Sequence, residues 1–297
     1  MREVRWERMF PDELETAFAA CPVVYLAYGL CEPHGPQNAL GLDALKAHAI
    51  CRRAAERHGG IVAPPDYWHI HEIGGYGTWA ERYVGEVRPW LTAVPPWVHF
   101  KNVCYHLRAV DALEFRAALL VTGHYGPNWE DLKTLVGILQ PHLAVRMYAL
   151  PDFEANVPGF RGSGQGGDHA GKVETSLLWA VEPECVDVSR LPKKSERGTP
   201  YAMGGDAHDS NRLAGERMVE DEVRWLGEKA RALLAEYDEA RSGGHEPLTF
   251  ADVERIWRDE IEPRIPGFAS MKPTFDPGAP EPSPDSRWRA NWSVSYP

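Results

Sequence analysis

Residues 29–48, GLCEPHGPQNALGLDALKAH, place Glu32, His34 and Asp43 directly after a short apolar run, CPVVYLAY. Glu32 and His34 are two apart, so on extended backbone both side chains point the same way, while Pro33 points away and stiffens the segment. Further on, VTGHYGPNW sets His124 between Gly123 and Gly126, glycines that suit a close approach of the backbone to something else. The stretch GGDHAGKVETSLLWA then supplies Asp168, His169 and Glu174. Several carboxylates and imidazoles without a thiolate are a donor set for Zn²⁺, Mn²⁺ or Fe²⁺. More than one of each suffices for two metals with a carboxylate between them. Such a pair generates hydroxide near neutral pH and polarises a carbonyl, and a neighbouring His or Asp can carry the proton to a leaving nitrogen.

Bringing residues this far apart together requires a scaffold. The runs VVYLAYG (23–29), IVAPP (61–65), AALLVTG (117–123) and VRMYAL (145–150) read as buried strands, with CVDVS (185–189) a weaker fifth. Helical patterns lie between them. Over 43–58, Ala47, Ile50, Cys51 and Ala54 recur at three-to-four spacing, with Asp43 in the N-cap position. Residues 127–143 and 174–182 read likewise, and 213–240 line up Val219, Val223, Leu226, Ala230, Leu233 and Tyr237. This alternation predicts an α/β fold, a mostly parallel sheet covered on both faces. In such sheets ligands collect beyond the carboxyl ends of the strands, where all seven candidate residues fall.

The totals fit that reading. With 297 residues and 43% hydrophobic content, the chain can bury a sizeable core. No window approaches the length of a membrane span, and the start lacks the apolar centre of a signal peptide. Five scattered cysteines without a CxxC pair suit reduced thiols and a cytoplasmic setting. A net charge of −11 argues against general nucleic-acid binding. One catalytic domain over 1–261 is expected, followed by an irregular Pro-rich tail, 262–297, packed on the domain or on a neighbouring subunit. The Gly-rich loop 151–168 is longer than most connections and therefore functionally suspect.

EPHGP…LGLD resembles the E-x-H-G-P-H-L-P-x-x-T-D signature of the creatininase (creatinine amidohydrolase) family. TGHYGPN resembles its N-G-H-G-G-N segment, and DHAGKVETS its H-A-G-E-x-E-T-S segment, in family order over roughly residues 23–190. The resemblance implies a three-layer α/β/α sandwich, a homo-oligomer (a hexamer in the family) and two divalent metals per chain, zinc first and manganese or iron as alternatives. It implies hydrolysis of the C–N bond of a small cyclic or linear amide, or of a formamide. By position, Glu32 and His34 each resemble a ligand of one metal and Asp43 the bridge. His124 resembles the second ligand of the Glu32 metal, Glu174 a second bridging carboxylate, and His169 the catalytic His with Asp168 as acidic neighbour. Tyr125 and Asn128 are candidates to orient a substrate carbonyl.

The departures fall near the site. Gln37-Asn38-Ala39 replace the usual His-Leu-Pro and alter the pocket wall, which makes Gln37 and Asn38 substrate-binding candidates. Gly126 stands where creatininase has a metal-binding Glu, and Lys172 where the family has Glu. The Gly-rich loop carries Gln165 and no tryptophan to close over creatinine, which argues against creatinine as the substrate. Two other readings remain open: hydrolysis of a peptide-like biosynthetic intermediate, or an inactive oligomeric scaffold. His69 and His71 read as pocket wall or subunit contact, Cys31 as a buried thiol and His208 as a solvated loop.

Overall fold

Val23, Tyr25 and Ala27 of strand β1 (Val23–Tyr28) pack into one apolar cluster, while the alternating Val24, Leu26 and Tyr28 pack into another. A strand buried on both faces, with side chains pointing alternately up and down, fixes three layers. This computed structural model describes residues 3–71, 81, 84–126, 128–156, 168–196, 200–240, 246–271 and 282–291. Helix α1 (Pro11–Ala20) leads into β1, which is followed by α2 (Leu42–His58) and the short β2 (Ile61–Val62). A separate two-stranded parallel pair, β3 (His69–Ile70) and β4 (Ala93–Val94), precedes α3 (Pro96–Ala112). Then come β5 (Ala117–Thr122), α4 (Asn128–Leu139), β6 (Arg146–Pro151), α5 (Lys172–Val181), α6 (Arg212–Ala240) and α7 (Phe250–Ile256).

The main sheet is parallel in the order β2-β1-β5-β6. Phe100, Val103 and Leu107 of α3 and Leu132 and Leu135 of α4 cover one face. The other is covered by Ala47, Ile50, Cys51 and Ala54 of α2, Leu177 of α5, and Val219, Val223, Leu226, Ala230 and Leu233 of α6. The chain leaves β1 toward β2 and later re-enters on the opposite side of β1 as β5. Strand order therefore reverses between β1 and β5, and the crevice beyond their carboxyl ends is where an open α/β sheet accepts ligands.

Three local expectations are corrected. Residues 185–189 form short 3₁₀ turns, because Asp187 accepts from the amide and hydroxyl of Ser189 and closes a local turn in place of a ladder. Only an isolated bridge, Asn38 to Val186, is left of the expected strand. IVAPP shortens to Ile61–Val62, since Pro64 and Pro65 have no amide to donate. Asp43 is not the N-cap of α2. Gly41 is, and Asp43 lies in the first turn with its carboxylate turned to other partners. Of the predicted face of the long helix, Tyr237 alone lies outside the apolar cluster and is half-buried.

The segment after α7 folds onto the same core, with Ile265 and Phe268 buried against it. Asp131 of α4 pins it, accepting from Ala269 N at 2.9 Å, Ser270 N at 2.7 Å and the Ser270 hydroxyl at 2.5 Å. No helix among the described residues is long and apolar enough to cross a membrane. Asp131→Ala strands these donors, so urea unfolding is expected to show a loss of about 2–4 kcal/mol, from charged hydrogen bonds lost and buried donors left unpaired. Unchanged stability would mean that the C-terminal segment is held by its apolar contacts alone.

Candidate metal centre

Two glycines let the strands carry ligands close to helix α2. A Cβ on Gly29, just after β1, would lie 2.4 Å from Ala44 N and 2.7 Å from Asp43 Cβ. A Cβ on Gly123, just after β5, would lie 2.1 Å from the Asp43 carbonyl oxygen. Only hydrogen fits at either position, so the first turn of α2 sits directly on the ends of β1 and β5. Between β1 and α2 the chain loops out through Glu32 and His34. Glu32 N donates to Leu40 O, Gly35 N donates to Tyr201 O, and Gly35 has φ +71°, a conformation that glycine adopts without strain.

The side chains converge. His124 Nδ1 stands 2.8 Å from Glu32 Oε1 and 3.3 Å from Asp43 Oδ2. His34 Nε2 stands 3.1 Å from Asp43 Oδ1 and 3.7 Å from both Glu32 Oε1 and Glu174 Oε2. Ligating atoms of Glu32, Asp43 and His124 lie within 4.8 Å of one another, as do those of His34, Asp43 and Glu174. Asp43 is common to both sets. Glu174 belongs to the His34 set and is not grouped with Glu32 and His124. A third set, Glu32, His34 and His169, overlaps them, with the His34 and His169 rings stacked at 4.6 Å.

These donors fit divalent ions on two structural grounds. Glu32 Oε1, His34 Nε2 and both oxygens of Asp43 are buried and make no hydrogen bond among the described residues, a costly state for polar atoms unless an ion takes them up. His34 Nδ1 donates to Glu32 O at 3.0 Å, so once Nε2 gives up its proton its lone pair faces the carboxylates, the tautomer a metal requires. The electrostatics agree. Burial pulls His34 down, but the charges of Asp43, Glu32 and Glu174 prevail and raise it to about 9. Burial raises Glu174 to about 8, Lys46 and His34 only partly offsetting it. Burial also acts on Glu32, yet His124 and His169 hold it well below the ordinary carboxylate range.

The remaining predicted residues are distributed around this centre. His169 donates from Nε2 to Pro33 O at 2.9 Å, and burial lowers it to about 4. Asp168 accepts from Val173 N and Glu174 N, so its carboxylate caps α5 and fixes the helix that delivers Glu174. Gln37 donates to Ala170 O and Thr175 Oγ1, and Asn38 to His34 O and Thr175 Oγ1. Both amides thus tie the loop that carries His34 to the α5 segment. The Tyr125 hydroxyl donates to Asp152 Oδ1 at 2.6 Å, and buried Asn128 bonds back to His124 O. Cys31 is half-buried, and its thiol is raised by burial. His208 binds Pro192 O. Gln165 and most of the Gly-rich loop lie outside the described residues.

Sequence reasoning passed over Lys46 and Asp152, and placed His71 only as pocket wall or subunit contact. His71 Nε2 lies 3.3 Å from Glu32 Oε2, behind the first ligand. Lys46 is fully buried, 3.2 Å from Asp152 Oδ2 and 3.3 Å from Glu174 Oε1. Burial lowers Lys46, but Asp152, Glu174 and Asp43 raise it further, so it stays charged. A lysine on the Ala-rich buried face of a helix, three residues after Asp43, was the legible signal. Asp152, first residue beyond β6, had the same strand-end address as His124.

Residues 7–232 match the sequence model of a family described as creatininase, creatinine amidohydrolase. This chain belongs to the creatininase family. A creatinine amidohydrolase of Pseudomonas putida is 26% identical over 207 residues, covering 64% of this chain and 74% of that protein. A tryptophan-to-phenylalanine mutant creatininase superposes with a TM-score of 0.62 at 23% identity, over 77% of this chain and 98% of its own. A manganese creatininase gives 0.60 at 24%, over 77% and 98%. At these identities the solved creatininases speak for the fold, a parallel sheet between helical layers. Of the departures from the creatininase pattern, Gly126 adjoins the site, while Lys172 is exposed at the start of α5, 3.9 Å from Asp206.

Because α2 rests on Gly123, Gly123→Ala must push Asp43 away from Glu32 and His124. The expected result is a stability loss of about 1–3 kcal/mol from overpacking, together with weakened metal retention in the folded fraction. Retention equal to wild type would show that Asp43 does not need this contact.

Proposed function

We propose that this creatininase-family amidohydrolase is a dinuclear metal enzyme that cleaves the C–N bond of a small cyclic or linear amide, or a formamide, other than creatinine. The observation that carries the reading is the pair of buried donor sets, Glu32–Asp43–His124 and His34–Asp43–Glu174, joined by the carboxylate of Asp43, whose oxygens make no hydrogen bond among the described residues. Nitrogen and oxygen donors without thiolate suit zinc, with manganese next. When bound, such ions supply the Lewis acidity that makes water nucleophilic near neutral pH and polarises an amide carbonyl.

The chain's own groups do the rest. Glu32, His34, Asp43, His124 and Glu174 hold the ions, and His71 steadies Glu32 from behind. His169 is neutral at pH 7, and with Nε2–H fixed on Pro33 O its Nδ1 is the basic nitrogen. It takes a proton from the attacking water and returns it to the departing nitrogen. Asp168 acts through α5, positioning Glu174 and the segment that bears His169. The same reading carries a cytoplasmic homo-oligomer acting on a small molecule.

The test combines metal analysis with a panel of amides and formamides. About two equivalents per chain are expected in the wild type and fewer in Asp43→Asn. His169→Asn should keep its metal and lose about 10²–10⁴ in kcat. A folded wild type that takes up no metal, or equal turnover by His169→Asn, sinks the proposal.

The pH dependence of metal uptake follows from His34 and Glu174. Their pKa values in the metal-free protein, about 9 and about 8, lie above neutrality, so protons occupy these donors at pH 7 and compete with the ion. Metal binding at pH 7 should therefore release protons, and affinity should rise with pH until about 9 and level off. Calorimetric titrations in two buffers of different ionisation enthalpy measure the release; identical heats would contradict it.

A further inference from the structure

Thr92 is a junction to which the reaction assigns nothing. Its amide donates to Cys31 O at 3.1 Å, and its hydroxyl oxygen accepts from Cys31 N at 2.8 Å. Both backbone groups of the residue before Glu32 therefore end on Thr92. Its hydroxyl also donates to Tyr67 O, and its carbonyl accepts from His69 N at 3.3 Å. Thr92 thereby joins the loop that carries Glu32 to strand β3. That strand leads to His71, whose Nε2 stands 3.3 Å from Glu32 Oε2. The register between Glu32 and the imidazole behind it depends on this one residue.

The segment that ends at Thr92 is weakly held by itself. Residues 85–92 contain no helix or strand, and Glu86, Val87, Arg88 and Trp90 are exposed. Trp90 holds φ +55°, which is costly for a bulky residue and persists only where the surroundings enforce it. At the far end of the segment the enforcement comes from the C-terminal stretch, well beyond residue 232, where the family match stops. Trp288 is 1% exposed, and its indole Nε1 donates to Gly85 O at 2.9 Å. Arg287 N donates to Glu86 Oε2 at 3.1 Å. Fixing Gly85 and Glu86 removes chain freedom that opposes the bonds at Thr92, because an anchored segment loses less entropy when its other end is held.

We infer that residues 286–288 are a strap for the metal centre: by anchoring Gly85 and Glu86 they keep Thr92 seated, and Thr92 keeps Glu32 and His71 where they retain the ion. Trp288 and Thr92 are then positioning residues, an inference that rests on the metal-enzyme reading above.

The rate at which zinc-loaded full-length protein gives up Zn²⁺ to a chromogenic chelator tests it. Thr92→Val should speed the loss about 10–100-fold, and Thr92→Ser should restore the wild-type rate. Trp288→Phe keeps an aromatic ring, removes the indole donor and should speed the loss about 2–30-fold. Glu86→Ala cuts the second tie from an exposed position and should act in the same direction, so the test stands even if Trp288→Phe does not fold. Added to Thr92→Val, Trp288→Phe should change little, since both act on one contact. Thr249→Ala uncaps α7 and serves as the control for general destabilisation; it should lose zinc at the wild-type rate. Wild-type rates in Glu86→Ala and in folded Trp288→Phe overturn the inference. So do effects that multiply in the double variant, or a Thr249→Ala protein that loses zinc as fast as Trp288→Phe. A wild type that takes up no zinc fails the metal-enzyme reading itself, an outcome distinct from all of these.

Discussion

Four carboxylates, Glu32, Asp43, Asp152 and Glu174, are buried in one place, and the rest of the structure has to accommodate them. Buried carboxylates within a few ångströms of one another are tolerated only with positive charge, protons or metal among them. The chain supplies part of that compensation itself. Lys46 is set against Asp152 and Glu174, and His34 is raised toward the charged form by the carboxylates around it. Asp43 is faced by His34 at 3.1 Å and His124 at 3.3 Å, yet neither of its oxygens makes a hydrogen bond among the described residues. A cluster short of hydrogen bonds at its centre and satisfied at its margins has the donor set that cations take up.

The sheet explains why this cluster exists at all. Glu32 follows β1, His124 follows β5 and Asp152 follows β6, so three adjacent parallel strands deliver side chains to one edge. Asp43 and Lys46 come from the helix that starts at the same edge, where Gly29 and Gly123 allow it to rest on the strand ends. Glu174 comes from α5, fixed by the Asp168 cap. Supporting contacts then lock the loops: Gln37 and Asn38 join the His34 loop to Thr175 and Ala170. With their amide donors committed to this tie, Gln37 and Asn38 hold the His34 loop against the α5 segment.

Much of this was legible in the sequence because it depends on local pattern. Apolar runs of six residues gave β1, β5 and β6 nearly to the residue, and three-to-four spacing gave the buried faces of α2 and α6. The donor residues stood out because they occupy strand ends. What was not legible is of two kinds. The Asp187–Ser189 turn and the helix start at Gly41 are local alternatives that displaced the expected strand and the expected Asp43 cap. Lys46 and Asp152 were overlooked because their roles depend on long-range contact. A lysine in an Ala-rich helix reads as a solvated charge until the partner, 106 positions away in sequence, is seen to be buried with it.

The two flanks of the centre differ in kind. Beyond Glu174 lie Lys46, Asp152 and Tyr125, a fixed ion pair with its hydroxyl partner. Beyond His124 lie His69 and His99, their rings 4.0 Å apart. Burial drives His69 well below its usual value and His99 to about 3, which favours the neutral form of both. A neutral imidazole wall adds no charge to compete with bound cations, whereas the ammonium on the other side does. The field across the centre is therefore asymmetric before any ion enters, and it is set by residues that are not ligands.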